Sequence, residues 1–141
     1  MFLFDNSAQT FELNRLWYFL PIGYLVTVLI ETPVLIFGLP RKFSLKQKIA
    51  LGFWLTACTY PIVVLVLPAI FLEYSRGLYL VVAETFAPVG ECAFFWLVYR
   101  GKGLLETKEW LRSFAAIVAA NLASFGIGEI INAYEWFGLF R

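Results

Sequence analysis

Histidine is absent from this 141-residue chain, and charge is scarce: 15% of the residues are Asp, Glu, Lys or Arg, against roughly a quarter in a soluble globular domain. The first absence removes His-ligated zinc and haem sites and the Ser-His-Asp and Cys-His nucleophile arrangements. The second removes a nucleic-acid binder, since 11 basic residues are offset by 10 acidic ones, and so basic a demand as DNA makes is unmet. Cysteine is nearly as sparse. Cys58 and Cys92 form neither the framework of a disulfide-stapled secreted module nor a Cys-x-x-Cys redox pair, and they read as small packing residues. Glycine-rich phosphate loops are missing too; Gly101 and Gly103 in Arg100-Gly101-Lys102-Gly103 read as a flexible turn. No cofactor is implied.

Apolar side chains are what the chain has in abundance: 61% of residues are hydrophobic and 19% aromatic, with a mean hydropathy of +0.77. That composition excludes disorder and selects a membrane protein whose first partner is the lipid bilayer. Crossing about 30 Å of hydrocarbon takes about twenty residues of helix, and four such stretches occur, at about 17–39, 49–71, 78–99 and 110–131. The second is uncharged throughout; the first is interrupted by Glu31, the third by Glu84 and Glu91. Runs such as Pro61-Ile62-Val63-Val64-Leu65-Val66-Leu67 do not alternate as the strands of an outer-membrane barrel would. The expected fold is therefore all-α, a single domain of four transmembrane helices.

Aromatic residues at the span ends, namely Trp17, Tyr18, Tyr74, Tyr79, Trp96, Tyr99, Trp110, Tyr134 and Trp136, suit the headgroup layer. Asp5 and Glu12, with no basic residue before Arg15, do not make the n-region of a cleavable signal, so the first span is expected to stay. Arg41, Lys42, Lys46 and Lys48 lie in one connection and Arg100, Lys102, Lys108 and Arg112 in another. The positive-inside bias places both connections in the cytoplasm and both termini outside, in a bacterial-type inner or plasma membrane. Topology is the first reading of these basic loops; contact with anionic lipid or a cytosolic partner is the second.

The two halves of the chain resemble each other faintly. Glu31 is followed by a basic loop and then by Thr59, and Glu91 by the other basic loop and then by Asn121, at nearly equal separations. Each half reads as a hairpin, and two hairpins entering from one side would be related by a pseudo-twofold axis along the membrane normal, bringing Glu31 toward Glu91. Any four-span chain can be cut into two hairpins, which is the competing reading.

A charged side chain near the bilayer centre costs at least about 2.5–3.5 kcal/mol, so each carboxyl in the spans needs a reason. Glu31, Glu84, Glu91, Thr59 and Asn121 are the candidate ion- or proton-binding residues. Glu84, Pro88 and Glu91 share a helix face at i, i+4, i+7 and make a ladder from the outer surface inward. With no Lys or Arg in the spans except Arg112 at the loop end of the fourth, nothing neutralises them, and a Glu31 and Glu91 pair would share a proton. Glu129 is the weakest member, near the outer interface. Pro33, Pro61 and Pro88 would free the carbonyls of Leu29, Ala57 and Glu84, a hard-cation coordination set if they face the carboxyls and simple packing kinks if they do not. Ala116, Ala120, Ser124 and Gly128 recur every four residues as a small-residue face for another helix, of this chain or of a second copy.

Three functions fit these residues. The leading one is proton-linked or cation transport, with Glu84 admitting the ion, Glu31 and Glu91 holding it, and Thr59 and Asn121 as neutral ligands. The second is an accessory or assembly subunit whose polar residues only join helices, as a homodimer or within a larger membrane complex. The third, ranked last, is an enzyme acting on a lipid phosphate, with Arg41, Lys42 and Arg100 holding the phosphate head.

Overall fold

The computed structural model describes residues 9–71 and 73–134, with side chains from Trp17 onward. The Trp136 anchor and the acidic N-terminal residues Asp5 and Glu12 lie outside the described residues or side chains. Helix α1 spans Gln9–Gly38, α2 Leu45–Pro61, α3 Leu67–Ile70, α4 Arg76–Tyr99 and α5 Thr107–Ala133. A π-helical stretch, Ile62–Val66, joins α2 to α3, so that Leu45–Ile70 forms one continuous span. Among the described residues there is no strand, and four helices are long and apolar enough to cross a membrane. They match the four spans expected from sequence to within a few residues at each end. By length and composition these are the helices of an integral membrane protein.

Local chemistry sets the ends. Ser44 caps α2 by accepting from the Gln47 N–H at 3.2 Å while the Gln47 side chain accepts from the Ser44 N–H at 2.8 Å, a reciprocal capping box. Ser75 caps α4 in the simpler way, accepting from the Leu78 N–H. Pro61 supplies no N–H, and the helix beyond it widens into the π stretch, whose Val63 carbonyl accepts from the Tyr79 hydroxyl at 3.0 Å. The C-terminal carbonyls of α1 are satisfied from other helices: Lys48 Nζ donates to Ile36 and Leu39, and Arg112 to Gly38 and Phe37. Lys42 bridges to Glu109 at 2.7 Å and to the Leu104 carbonyl. Several basic residues of the two loops thus tie one end of the bundle together, a role beyond the topology signal read from sequence.

The helices form a ring in which α1 packs on α2 and α5, and α4 packs on the same two, leaving α1 opposite α4 and α2 opposite α5. Two close approaches fix it. A Cβ on Gly38 would stand 2.6 Å from that of Ala116, and a Cβ on Gly52 would collide with the Thr32 hydroxyl. These contacts seat α1 on α5 and on α2.

Burial supports the hairpin duplication more strongly than the motifs did. Gly23, Val28, Glu31 and Leu35 are the inward positions of α1, and Ala83, Pro88, Glu91 and Phe95 recur at the same spacing in α4. Likewise Lys48, Leu51, Gly52, Leu55 and Thr56 in α2 are matched one for one by Ser113, Ala116, Ile117, Ala120 and Asn121 in α5. Both diagonals of the ring are therefore pairs of equivalent helices, as a pseudo-twofold axis down its centre requires. The sequence register was off by one turn: the partner of Asn121 is Thr56, and Thr59 pairs with Ser124.

The anchors divide. Trp17, Tyr18, Tyr74, Trp96 and Tyr134 are exposed. Tyr99 and Trp110 are partly buried and pack on Phe95, with ring centroids 4.9 and 5.7 Å away, and Tyr79 lines a cavity.

Candidate functional site

Four polar side chains meet the two carboxyls at mid-bundle, one from each flanking helix per carboxyl. Thr56 donates to Glu31 Oε2 at 2.7 Å and Ser124 to Glu31 Oε1 at 2.7 Å. Asn121 Nδ2 donates to Glu91 Oε2 at 2.9 Å and Thr59 to Glu91 Oε1 at 3.0 Å. Glu31 and Glu91 are each only 2% exposed. The arrangement obeys the duplication: each Glu takes one donor from the second helix of its own hairpin and one from that of the other. The residues follow from helix geometry, since Thr56 and Thr59, like Asn121 and Ser124, are three apart and share a face.

Each donor has a second acceptor in reach. Thr56 Oγ1 lies 2.8 Å from the Gly52 carbonyl, Thr59 Oγ1 3.3 Å from that of Leu55, and Ser124 Oγ 2.9 Å from that of Asn121. A hydroxyl owns one proton. Facing an ionised carboxylate it donates inward; facing a neutral carboxyl it accepts that group's proton and turns its own to the main chain. Both states leave every group satisfied, at the cost of a hydroxyl rotation. Asn121 behaves differently, because its two N–H bonds are committed to Glu91 and to the Ile117 carbonyl at 3.0 Å. Glu91 Oε2 is thereby fixed as an acceptor, and Oε1, facing Thr59, is the oxygen free to carry a proton.

No hydrogen bond joins Glu31 to Glu91 directly. The hydrogen-bonded connection between them runs through the Asn121–Ser124 turn, where Ser124 touches both Glu31 and the Asn121 carbonyl. Thr56 joins the network although the sequence reading omitted it, and Ser124, outside the ion-binding set, takes the hydrogen-bonding role that its polar side chain in the span suggests. Their signal was available: Thr56 precedes Thr59 by one turn, and Ser124 sits in the small-residue stripe. That stripe packs only in its first half, where Ala116 and Ala120 are buried; Ser124 and Gly128 line a cavity instead.

Above the carboxyls a chamber of about 130 Å³ is lined by Glu31, Glu91, Asn121, Thr59, Tyr60 and Glu84, with room for several waters. It shares Thr27, Tyr60, Ala83, Glu84, Ser124 and Phe125 with a vestibule of about 290 Å³. The vestibule rises to the end of the bundle bearing the Glu73–Gly77 turn, where Arg76 holds Glu129 at 3.0 Å. Glu84 stands where the two spaces join, one step of the carboxyl ladder above Glu91, roughly 10 Å along the helix. Below the carboxyls Leu35, Leu39, Phe43, Leu55, Phe95 and Ile117 are packed together, and an open groove of about 240 Å³ lies beside them between α2 and α4, lined by Leu51, Trp54, Val98 and Tyr99.

The Leu29 carbonyl freed by Pro33 does not join the site, because Pro33 is exposed and Leu29 is 72% exposed, on the outer face of α1. Ala57 is likewise exposed. Packing kinks are therefore the reading for Pro33 and Pro61, while Pro88 is buried below Glu84, and among the described residues no group of three or more His, Cys, Asp or Glu is placed to hold a metal. Of the basic residues suggested for a phosphate head, Lys42 is engaged by Glu109 and Arg100 stacks on Trp96 at 4.6 Å, with the apolar packing between them and the carboxyls. Cys58 and Cys92 are free thiols, partly buried.

No protein-family model matches the chain, and no match was found for it among curated proteins or among solved structures.

Proposed function

We propose that this protein is a proton-linked membrane transporter in which Glu31 and Glu91 take up and release the proton. The observation that carries the reading is the double reach of each hydroxyl partner, which lets Glu31 and Glu91 gain or lose a proton without stranding a buried polar group. A metal cation is the poorer occupant, because the carboxylate oxygens it would need already face O–H and N–H donors. The route to the carboxyls that supports this reading runs through the vestibule and past Glu84. With Arg41, Lys46, Arg100, Lys102 and Lys108 gathered at the opposite end, the positive-inside bias orients that end to the cytoplasm and the vestibule outward.

Proton flux into proteoliposomes under an imposed pH gradient tests this. Glu31→Gln and Glu91→Gln keep one acceptor oxygen and gain a donor for the facing hydroxyl, so both should fold as the parent does while losing flux. Undiminished flux in both variants would overturn the reading; parent flux at background level would leave the polar residues as interhelical contacts of a packing or assembly subunit.

A further inference from the structure

The vestibule is larger than proton access requires, since a single file of waters is enough to conduct protons to the chamber. About 290 Å³ is close to the lower end of small-molecule pockets, about 300–1,000 Å³, and its walls are built for a solute. They are mostly aliphatic and aromatic, with Phe19, Tyr60, Tyr79 and Phe125 presenting rings and Val64 and Leu80 between them. Its charges are not balanced. Arg76 donates from Nη2 to both carboxylate oxygens of Glu129, at 3.2 and 3.0 Å, so these two cancel. Glu84, half-buried where vestibule meets chamber, has no hydrogen bond or ion pair among the described residues. One unanswered carboxyl in an aromatic-lined apolar wall attracts a positive charge on an apolar body, through Glu84 and the ring faces together. An anion meets the same carboxyl as repulsion, and the nearest cation, Arg76, is already taken.

We infer that the vestibule binds a small monovalent organic cation with an aromatic or branched apolar body, its charge held at Glu84. The inference deepens the transport reading by naming its substrate class, and it depends on that reading only for what the cation is exchanged against. A cation entering as a proton leaves Glu31 or Glu91 keeps the net charge of the buried site constant, which avoids the cost of an added unpaired charge there.

Benzyltrimethylammonium is the probe, with phenylacetate as its anionic counterpart, both titrated calorimetrically into the full chain in lipid nanodiscs with a pH indicator present. Two glycine variants keep the test independent of Glu84. A Cβ at Gly128, in the vestibule wall, or at Gly126, outside it, meets nothing within 4 Å, so Gly128→Leu fills the vestibule and Gly126→Leu does not. The expected result is saturable binding of the cation and none of phenylacetate. Affinity should fall at least about tenfold, or about 1.4 kcal/mol, in Glu84→Gln and in Gly128→Leu, and be unchanged in Gly126→Leu. Preference for phenylacetate, no saturable cation binding, or equal loss in both glycine variants would overturn the inference. Proton flux that persists without cation binding would sink this inference alone, whereas cation binding with no proton released would support the site and count against the proton reading.

Discussion

The same four helices build two halves of opposite character. On the basic-loop side of Glu31 and Glu91, bulky side chains meet: Phe95 is fully buried and in ring contact with Phe43, Tyr99, Trp110 and Phe114. Gly38 and Gly52 draw α1 against α5 and α2 there. On the other side a Cβ at Gly128 would meet nothing within 4 Å, and although Gly23 lies against the Tyr60 hydroxyl, the helices there leave a vestibule between them. Lipid tails are as apolar as leucine, so no hydrophobic force closes a gap between membrane helices; packing alone decides. Under the proposed function, stability belongs to the packed half and chemistry to the open one, with the carboxyl network as the floor between them.

Variants on either side of that floor can break or sharpen the division. Phe95→Ala should cost the most, on the order of 3 kcal/mol, the low end for buried aromatic truncation because the transfer term is muted in lipid while the cavity term remains. Unfolding by denaturing detergent would read that loss, and proton uptake at the carboxyls should survive in the fraction that stays folded. Gly52→Val comes next: its side chain drives into Thr32 beside the Glu31–Thr56 contact, and about 1–3 kcal/mol of overpacking should appear as lower stability together with weakened proton binding. A variant stable but unchanged in proton binding would show that the two halves are less coupled than the shared floor implies.

A smaller effect probes the duplication. Thr59→Val and Ser124→Ala remove equivalent hydroxyls, one from each carboxyl, and each should cost between about 0.6 and 1.7 kcal/mol, the range for interhelical hydrogen bonds in membranes. Clearly unequal costs would mean that the halves have diverged in role. The smallest effect belongs to Lys42. Its hydrogen bond to Glu109 holds the ammonium above the ordinary lysine range, so the contribution of the pair is complete below that range and fades as pH rises through the raised value. Melting temperatures of the parent and of Lys42→Met should differ slightly near neutral pH and converge in strong alkali. A gap that persists there would point to lost packing of the lysine stem instead of lost charge.

Much of the fold could be read from residue order because membrane spans announce themselves by length and by the scarcity of charge. The carboxyls were equally visible: Glu31 and Glu91 stand out against apolar surroundings, and Asn121 and Thr59 meet them as expected. Less visible was register. Thr59 and Asn121 lie at similar depth, yet depth does not fix rotation about the helix axis, and only the inward stripe through Leu51, Leu55 and Thr56 shows that Thr56 is the true counterpart of Asn121. The choice between a coordinating carbonyl and a packing kink was hidden for the same reason, since Pro33 frees a carbonyl on the face of α1 that points away from Glu31. Cavities were out of reach altogether, because they depend on which small residues go unmet by a neighbour, as Gly128 does and Gly38 does not.

Infrared difference spectroscopy of the purified protein in lipid, between two pH values, tests most directly whether the buried pair is a working proton site. Reversible carboxyl bands should appear, sensitive to deuterium exchange, with one component lost in Glu31→Gln and a distinct one lost in Glu91→Gln. Spectra in which neither substitution removes a titrating carboxyl would contradict the claim and leave the network as mortar between helices.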